Sequence, residues 1–413
     1  MLQNQKNNSY DFIIAGAGPV GCILAMNLYH HGFRVLILEK NDWHSVNGPY
    51  LNGISEVFFP LLHKLRVDSL VKETQINEGK RLSITTETGT ALHEEWEERG
   101  RRIFFCREEF DVKLRHGIAD MDVDCLDHVQ AVAPLWKNQR VIGIQCVHQE
   151  KKLQFFCKQV IVCDGSQSKL AKTLGFRSER PSFNRLYQGR MYANTQFTGH
   201  HTALFLQPRR GQILLTFSAD ERGEGCAYVE LETDLNHPSV KVTSHKDNLE
   251  NLFQQILSRS ENFADAMKGA SPIDDWRIVS LRGNYSTQLQ SPGVVLMGDA
   301  ARCMDPIGSS GLLMGLQGID DLLKVLIRRH EEQWDFAQWE QDYLKRVHEL
   351  DRFIKLMRFF LKRPGLLEHV IVLLNQKPAH RKTFLSVFNG LQNYEEFLHW
   401  QYQLKFWSSA VFA

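Results

Sequence analysis

The 413-residue chain lacks an excess of charge of either sign: 49 lysines and arginines stand against 48 aspartates and glutamates. A general nucleic-acid surface needs a strong positive excess, so nucleic acid is not an expected partner. Cysteine is sparse and never paired at short range. Its eight copies stand singly, from Cys22 to Cys303, without a C-x-x-C pair, which argues against a zinc site or a disulfide framework. Cys146 and Cys163 lie inside apolar runs, where a buried thiol is expected. Residues 1–10 are polar and offer no apolar core for a signal peptide, so a cytoplasmic protein is expected. No stretch reaches the roughly 20 consecutive apolar residues that a membrane-spanning helix needs. Internal repeats and low-complexity linkers are missing too. What is left is a globular chain long enough for two or three domains.

Against that background one stretch, Asp11 to Lys40, is dense in pattern. Phe12-Ile13-Ile14-Ala15 is an apolar run of the kind buried on both faces of a parallel sheet. It ends in Gly16-Ala17-Gly18-Pro19-Val20-Gly21, a G-x-G-x-x-G turn. Gly16 permits a tight turn, Gly18 lets the backbone approach a pyrophosphate, and Gly21 lets the following helix sit close to the strand. That helix carries Ile23, Leu24 and Leu28 and stops at Gly32, a good C-cap residue. A second strand, Val35-Leu36-Ile37-Leu38, closes on Glu39, where a dinucleotide site needs an acceptor for the adenosine ribose. The helix N-terminus is then an anion site for the pyrophosphate of a dinucleotide.

Further along, the spacing predicts a helix across Ser55 to Arg66, strands within Arg81 to Trp96, and a helix from Arg107 to Ile118. β-like segments follow near Val129, Val141 to Val147 and Leu153 to Cys157. Gln159 to Cys163 reads as a separate buried strand that ends at the turn Asp164-Gly165. Alternation of period two from Arg190 to Glu232 predicts a largely antiparallel sheet. Leu249 to Phe263 reads as helix, Gly293 to Met297 as a short buried strand broken by Gly298-Asp299-Ala300-Ala301, and residues 318–362 as helical. His93, His116 and His245 stand alone, and no catalytic side chain or metal ligand set is assigned.

Three of these stretches, taken in order, resemble the flavoprotein monooxygenases of the para-hydroxybenzoate hydroxylase type. They are the glycine turn with Glu39, the Asp164-Gly165 turn, and Gly298-Asp299-Ala300-Ala301. The resemblance covers residues 11 to about 330. It implies an α/β fold in which a Rossmann-type FAD-binding domain is interrupted by a mainly antiparallel substrate domain, with a helical C-terminal region. The implied FAD domain occupies residues 1–180, with a substrate-domain excursion near 75–100. The substrate domain follows over 181–280, an FAD-domain closing segment over 281–330, and the helical region over 331–413.

The resemblance also assigns roles. Asp299 accepts from the ribityl chain of FAD, Arg107 opens a helix beside the cofactor, and Asp164-Gly165 lies against the pyrophosphate and the nicotinamide reductant, NADPH or NADH. The stretch Asp305-Pro306-Ile307-Gly308-Ser309-Ser310-Gly311-Leu312 is expected at the flavin ring. Pro306 stiffens the approach, Gly308 and Gly311 leave room for backbone amides, and a helix starting near Gly311 presents its positive end to reduced flavin.

The chain also departs from that family. Arg302 stands where histidine is usual, Leu313 where asparagine is usual, and Gly318 near the place of an acid. Asp-Pro followed by Ser-Ser-Gly is closer to flavin-dependent halogenases and prenyl reductases, yet the W-x-W element of halogenases is missing. The expected activity is hydroxylation of an aromatic or lipophilic small molecule by an NAD(P)H-dependent monooxygenase using dioxygen. A prenyl-type reductase or dehydrogenase, and a flavin-binding protein without turnover, are the alternatives. From Phe353 onward the chain is rich in apolar residues, including Phe359-Phe360-Leu361 and Phe406-Trp407. These suit core or dimer packing, or peripheral contact with a membrane.

Overall fold

Phe12, Ile13 and Ile14 have no exposed surface, which requires strands on either side of them and packed elements over both faces. The computed structural model describes residues 9–45, 51–96, 101–179, 183–240, 247–328 and 334–388; His245, Phe406 and Trp407 lie outside these. Strand Ser9–Ala15 pairs in parallel with Val35–Leu38 on one side and with the end of Lys151–Val162 on the other. Asp124–Leu126 and Val294–Leu296 extend the parallel sheet at its two sides. Helices Pro19–His30, Gly311–Arg328 and Ala337–Leu361 contribute to the core around this sheet. That is the strand–turn–helix–strand unit with parallel pairing that the glycine turn implied.

A second sheet has eight strands among the described residues. Its centre is antiparallel, through Asn184–Ala193, Ala227–Asp234, Gln212–Ser218 and His201–Gln207. Arg81–Thr86 then joins in parallel to His201–Gln207 and carries Ala91–Glu95 at the edge. A three-stranded sheet, Leu51–Ser55, Arg102–Cys106 and Gln75–Gly79, lies between the first strands and helix Arg107–Ala119 in the chain. The mixed α/β fold with a helical C-terminal region is thus the one the sequence predicts.

Several local expectations change. Leu153–Cys157 and Gln159–Val162 are one twelve-residue strand, Lys151–Val162. Its first half pairs antiparallel with Arg140–His148 and its second half parallel with Ser9–Ala15. The expected helix Leu249–Phe263 breaks into Asp247–Leu257 and Glu261–Ala266. The long helical stretch is two helices, Gly311–Arg328 and Ala337–Leu361.

Beyond Phe353, apolar residues including Met357, Phe360, Leu367, Val370 and Ile371 are buried against Leu92, Leu206 and Ile213 of the second sheet. Helices Pro364–Gln376 and Pro378–Phe388 therefore cover one face of that sheet. Among the described residues no helix is long and apolar enough to cross a membrane.

A buried ion network joins the parts. Arg358, on helix Ala337–Leu361, reaches Glu232 Oε1 at 2.6 Å and both carboxylate oxygens of Asp305. Arg185 engages Asp234, Glu232 and Asp305 from the second sheet, and Tyr187 donates to Glu232 at 2.8 Å. Burial acts to lower the Arg358 pKa, but Glu232 and Asp305 hold it well above its ordinary value. Arg358→Met removes the cation and leaves two buried carboxylates short of a partner, an error that typically costs about 3–5 kcal/mol. Denaturant titration of the cofactor-free protein should show a loss of that size. A loss below about 1 kcal/mol, the range of surface pairs, would mean that the network is solvated.

Candidate active site

The carboxyl ends of Ser9–Ala15, Lys151–Val162 and Val294–Leu296 lie side by side, the place where open α/β sheets hold ligands. Gly16 sits at φ +108°, and a Cβ on it would stand 2.5 Å from the Cys163 carbonyl oxygen. A Cβ on Gly21 would stand 2.1 Å from the Gly16 oxygen. These two glycines are therefore required by the fold itself. Gly18 differs: at φ −70° it caps the helix, and a Cβ there would meet nothing within 4 Å. Its open side is room for a ligand.

A pocket of about 390 Å³ rises above this turn, lined by Gly16, Gly18, Glu39, Asp164, Gly165 and Arg115 among others. The structure thus brings together five residues that the sequence marks out far apart. Glu39 is buried and accepts from the amides of Ala17 (2.9 Å) and Asn41 (2.9 Å), so it fixes the glycine turn as well as facing the pocket. Burial raises the Asp164 pKa, and Asp164 Oδ1 is buried without a hydrogen-bond partner. Such an orphaned acceptor suits a ligand hydroxyl or amide. Gly165 adopts φ +91° with open space where a Cβ would be.

Arg115 was not singled out in the sequence. It donates to the carbonyls of Ala17 (3.1 Å), Trp43 (2.7 Å) and Ser45 (2.8 Å). The available signal was its place four residues after Asp111 and eight after Arg107, on the face that carries the apolar positions Leu114 and Ile118. Arg107 itself opens helix Arg107–Ala119 and donates to Asp111 at 2.7 Å.

The second group of predicted residues converges on the same edge. Gly298 adopts φ +57°, and a Cβ on it would press on Val20 of the first helix at 3.2 Å. Burial raises the Asp299 pKa, opposed by the charge of Arg107 and a hydrogen bond with Cys303. Pro306–Gly308 is one tight helical turn, capped by the Asp305 side chain at Ile307 N (3.2 Å). Ser309 follows in the left-handed region at φ +48°. Ser310 Oγ is buried without a partner, and helix Gly311–Arg328 begins next. A Cβ on Gly311 would find only Asp299 Oδ1, at 4.0 Å, and Leu312 is half-buried against the core. Glycine turn, orphaned acceptors and open backbone together fit a dinucleotide such as FAD.

Beside Ile307 and Ser309 lies a cavity of about 180 Å³. Its walls are Leu82, Ile84, Leu204, Leu215 and Phe217 of the second sheet and Phe360, Leu367, Val370 and Ile371 of the C-terminal helices. Arg81, Arg102 and Thr202 are among its few polar members.

The three unusual residues have structural roles. Arg302 stacks its guanidinium 4.0 Å from the Tyr285 ring centre and pairs with Asp351 at 3.7 Å. Gly318 lies against Tyr343, whose Cε2 would be 2.9 Å from an added Cβ, and its carbonyl accepts from the Trp339 indole at 3.0 Å. Leu313 is buried core.

Two substitutions separate fold from ligand. Gly21→Ala should destabilise the cofactor-free protein by about 1–3 kcal/mol through overpacking. Gly18→Ala should leave it unchanged or raise it by about 0.4–1 kcal/mol, while FAD affinity falls. Equal loss of stability in both variants would remove the distinction. Asp299→Ala takes away an acceptor, typically worth about 1–3 kcal/mol when left unmet, so FAD should bind roughly 5- to 150-fold more weakly. A fluorescence titration with unchanged affinity would show that Asp299 does not face the cofactor.

The family of FAD-binding domains matches residues 9–337. A digeranylgeranylglycerophospholipid reductase of Thermoplasma volcanium is 23% identical over 325 residues, covering 74% of each chain. Among solved structures, the flavin-dependent brominase Bmp2 superposes with a TM-score of 0.73 at 13% identity, covering 92% of this chain and 94% of that one. The p-nitrophenol 4-monooxygenase PnpA of Pseudomonas putida gives 0.70 at 15% identity, with 92% and 94% covered. At these identities the structural likeness concerns the fold. With the family match spanning the glycine turn, both carboxylates and the loop that follows them, the chain belongs to the FAD-binding domain family of flavin-dependent oxidoreductases.

Proposed function

We propose that the protein uses FAD, reduced by NADPH or NADH, to transform an elongated lipophilic small molecule. The observation that carries this is the cavity beside Ile307 and Ser309, walled by aliphatic and aromatic side chains from both the second sheet and the C-terminal helices. Apolar walls with few polar groups bind by area removed from water and fix position by shape. Bound FAD supplies the two-electron chemistry and, with dioxygen, an electrophilic oxygen. The chain's own residues bind it at the glycine turn, orient it through Asp299 and the Pro306–Gly308 turn, and keep water from the substrate side.

Monooxygenation is the first reading, supported by the ordered motifs that resemble aromatic hydroxylases. Reduction of a carbon–carbon double bond is the second. It is favoured by the likeness to the Thermoplasma reductase and by walls that suit a flexible chain better than a flat polar ring. Peripheral contact with a membrane would suit either, since such a substrate partitions into lipid.

FAD-loaded protein given NADPH or NADH and a panel of long-chain unsaturated and aromatic apolar molecules should oxidise the nicotinamide faster with some member. Mass spectrometry under labelled dioxygen then decides. One labelled oxygen in the product means monooxygenation, and two added hydrogens without dioxygen mean reduction. Leu204→Trp, which fills the cavity, should keep FAD affinity and lower substrate-stimulated turnover by tenfold or more, equivalent to about 1.4 kcal/mol. Full turnover in that variant would place the substrate elsewhere.

A further inference from the structure

Glu230 is an acidic residue on the cavity side of the second sheet with no role so far. In strand Ala227–Asp234 it pairs across with Leu215 on one side and Gly189 on the other. Side chains directly opposite in a sheet share a face, so Glu230 lies on the face that presents Leu215 and Phe217 to the cavity. Two residues along the same face, Glu232 holds Arg358, which holds Asp305, the cap of the Pro306–Gly308 turn. Glu230 is therefore one step along the sheet from the anchor of the cofactor loop.

Its surroundings bring one neutral hydrogen-bond donor to the carboxyl. Gly189 brings no side chain, and a Cβ there would stand 2.2 Å from the Tyr228 hydroxyl. That hydroxyl passes over Gly189 and donates to Glu230 Oε2 at 3.1 Å. Tyr228 and Glu232 are buried, whereas Glu230 between them keeps accessible surface. The other titratable or charged groups on this face of the strand and its neighbours are Tyr228, Glu232, Asp234, Tyr187, Arg185 and, across Gly189, Arg277, with Arg358 and Asp305 packed against them. All but Tyr228 and Arg277 belong to the ion network, and Arg277 pairs with Glu108 and Asp274.

We propose that Glu230 faces the redox-active end of bound FAD and holds a proton there, so that reduction of the cofactor is favoured while its carboxyl is neutral. Burial, with the neighbouring Glu232 charge, pushes Glu230 from its ordinary 4.5 up to about 7, opposed by the Tyr228 hydrogen bond. On ionisation the carboxyl O–H breaks, its electron pair stays on the oxygen and the proton goes to water. The added negative charge then opposes the negative charge that a flavin gains on reduction. NAD(P)H reduction would thereby slow as pH rises through neutrality, by a group that takes no part in binding the nicotinamide.

The inference rests on FAD binding at this site, and the experiment separates the two. FAD affinity and midpoint potential are measured between pH 5.5 and 8.5, on the order of 1.5 units either side of the Glu230 value, in wild type, Glu230→Gln and Tyr228→Phe. Wild type should show an extra fall of potential around pH 7. Glu230→Gln should bind FAD and lose that fall, and Tyr228→Phe, which removes the lowering hydrogen bond, should move it to higher pH. Potentials that run parallel in wild type and Glu230→Gln, with FAD bound in both, would overturn the proposal. Failure of wild type to bind FAD would overturn the site itself. A second readout needs no cofactor. A raised carboxyl stabilises the fold fully below its ordinary 4.5 and loses that contribution as pH rises to about 7. Cofactor-free wild type should therefore lose stability over that window relative to Glu230→Gln, and identical pH profiles would refute the raised carboxyl.

Discussion

Everything near the cavity depends on the contact between Arg358 and the pair Asp305 and Glu232. Asp305 belongs to the loop that follows the Gly298-Asp299 turn, Glu232 to the second sheet, and Arg358 to the C-terminal helix. One guanidinium thus ties three segments that are far apart in sequence. Its planar fork can hold two carboxylates at once, which a lysine ammonium does with less directional control. The network holds two arginines against three carboxylates and a tyrosine hydroxyl, and both arginines are mostly shielded from water. Buried pairs of this kind add little net stability over apolar packing. Their contribution is register: sheet, loop and helix meet in one arrangement, and the cavity wall is complete only in that arrangement.

The glycine turn shows how one motif divides between two demands. Gly16 and Gly21 are set by strand–helix approach, with backbone oxygens 2.1–2.5 Å from where a Cβ would stand. Gly18 is set by what lies outside the protein. Glu39 likewise serves both sides, holding the amides of Ala17 and Asn41 while facing the pocket. Binding FAD would therefore add interactions to a turn that is already formed. That preformed geometry lowers the ordering cost of binding.

What was legible in the sequence was local. Strand, turn, helix and acid in order specify the first βαβ unit, because each residue acts on its immediate neighbours. The Gly298-Asp299 and Pro306–Gly311 stretches were marked out by resemblance to a family, and their turns are as short as their sequence suggests. The rest depends on pairing at a distance. Arg81–Thr86 joins the second sheet through a parallel pairing with His201–Gln207, and period-two alternation does not reveal a partner. Lys151–Val162 looked like two strands because its two halves have different neighbours and different burial. Nothing local marks Arg115, Arg185 and Arg358, since the carbonyls and carboxylates that hold them come from remote segments.

Two departures from the hydroxylase pattern share a setting. Arg302 and Gly318 lie where helix Ala337–Leu361 docks. Arg302 meets Tyr285 and Asp351, Gly318 meets Trp339 and Tyr343, and Leu313 packs in the core. An acid at 318 would be driven into that interface, and a polar residue at 313 into the core, at the cost of an unpaired buried group. The same helix carries Arg358 and Phe360, which complete the network and the cavity wall. Arg302 and Gly318 are therefore linked, through one helix, to the apolar cavity between the second sheet and the C-terminal helices.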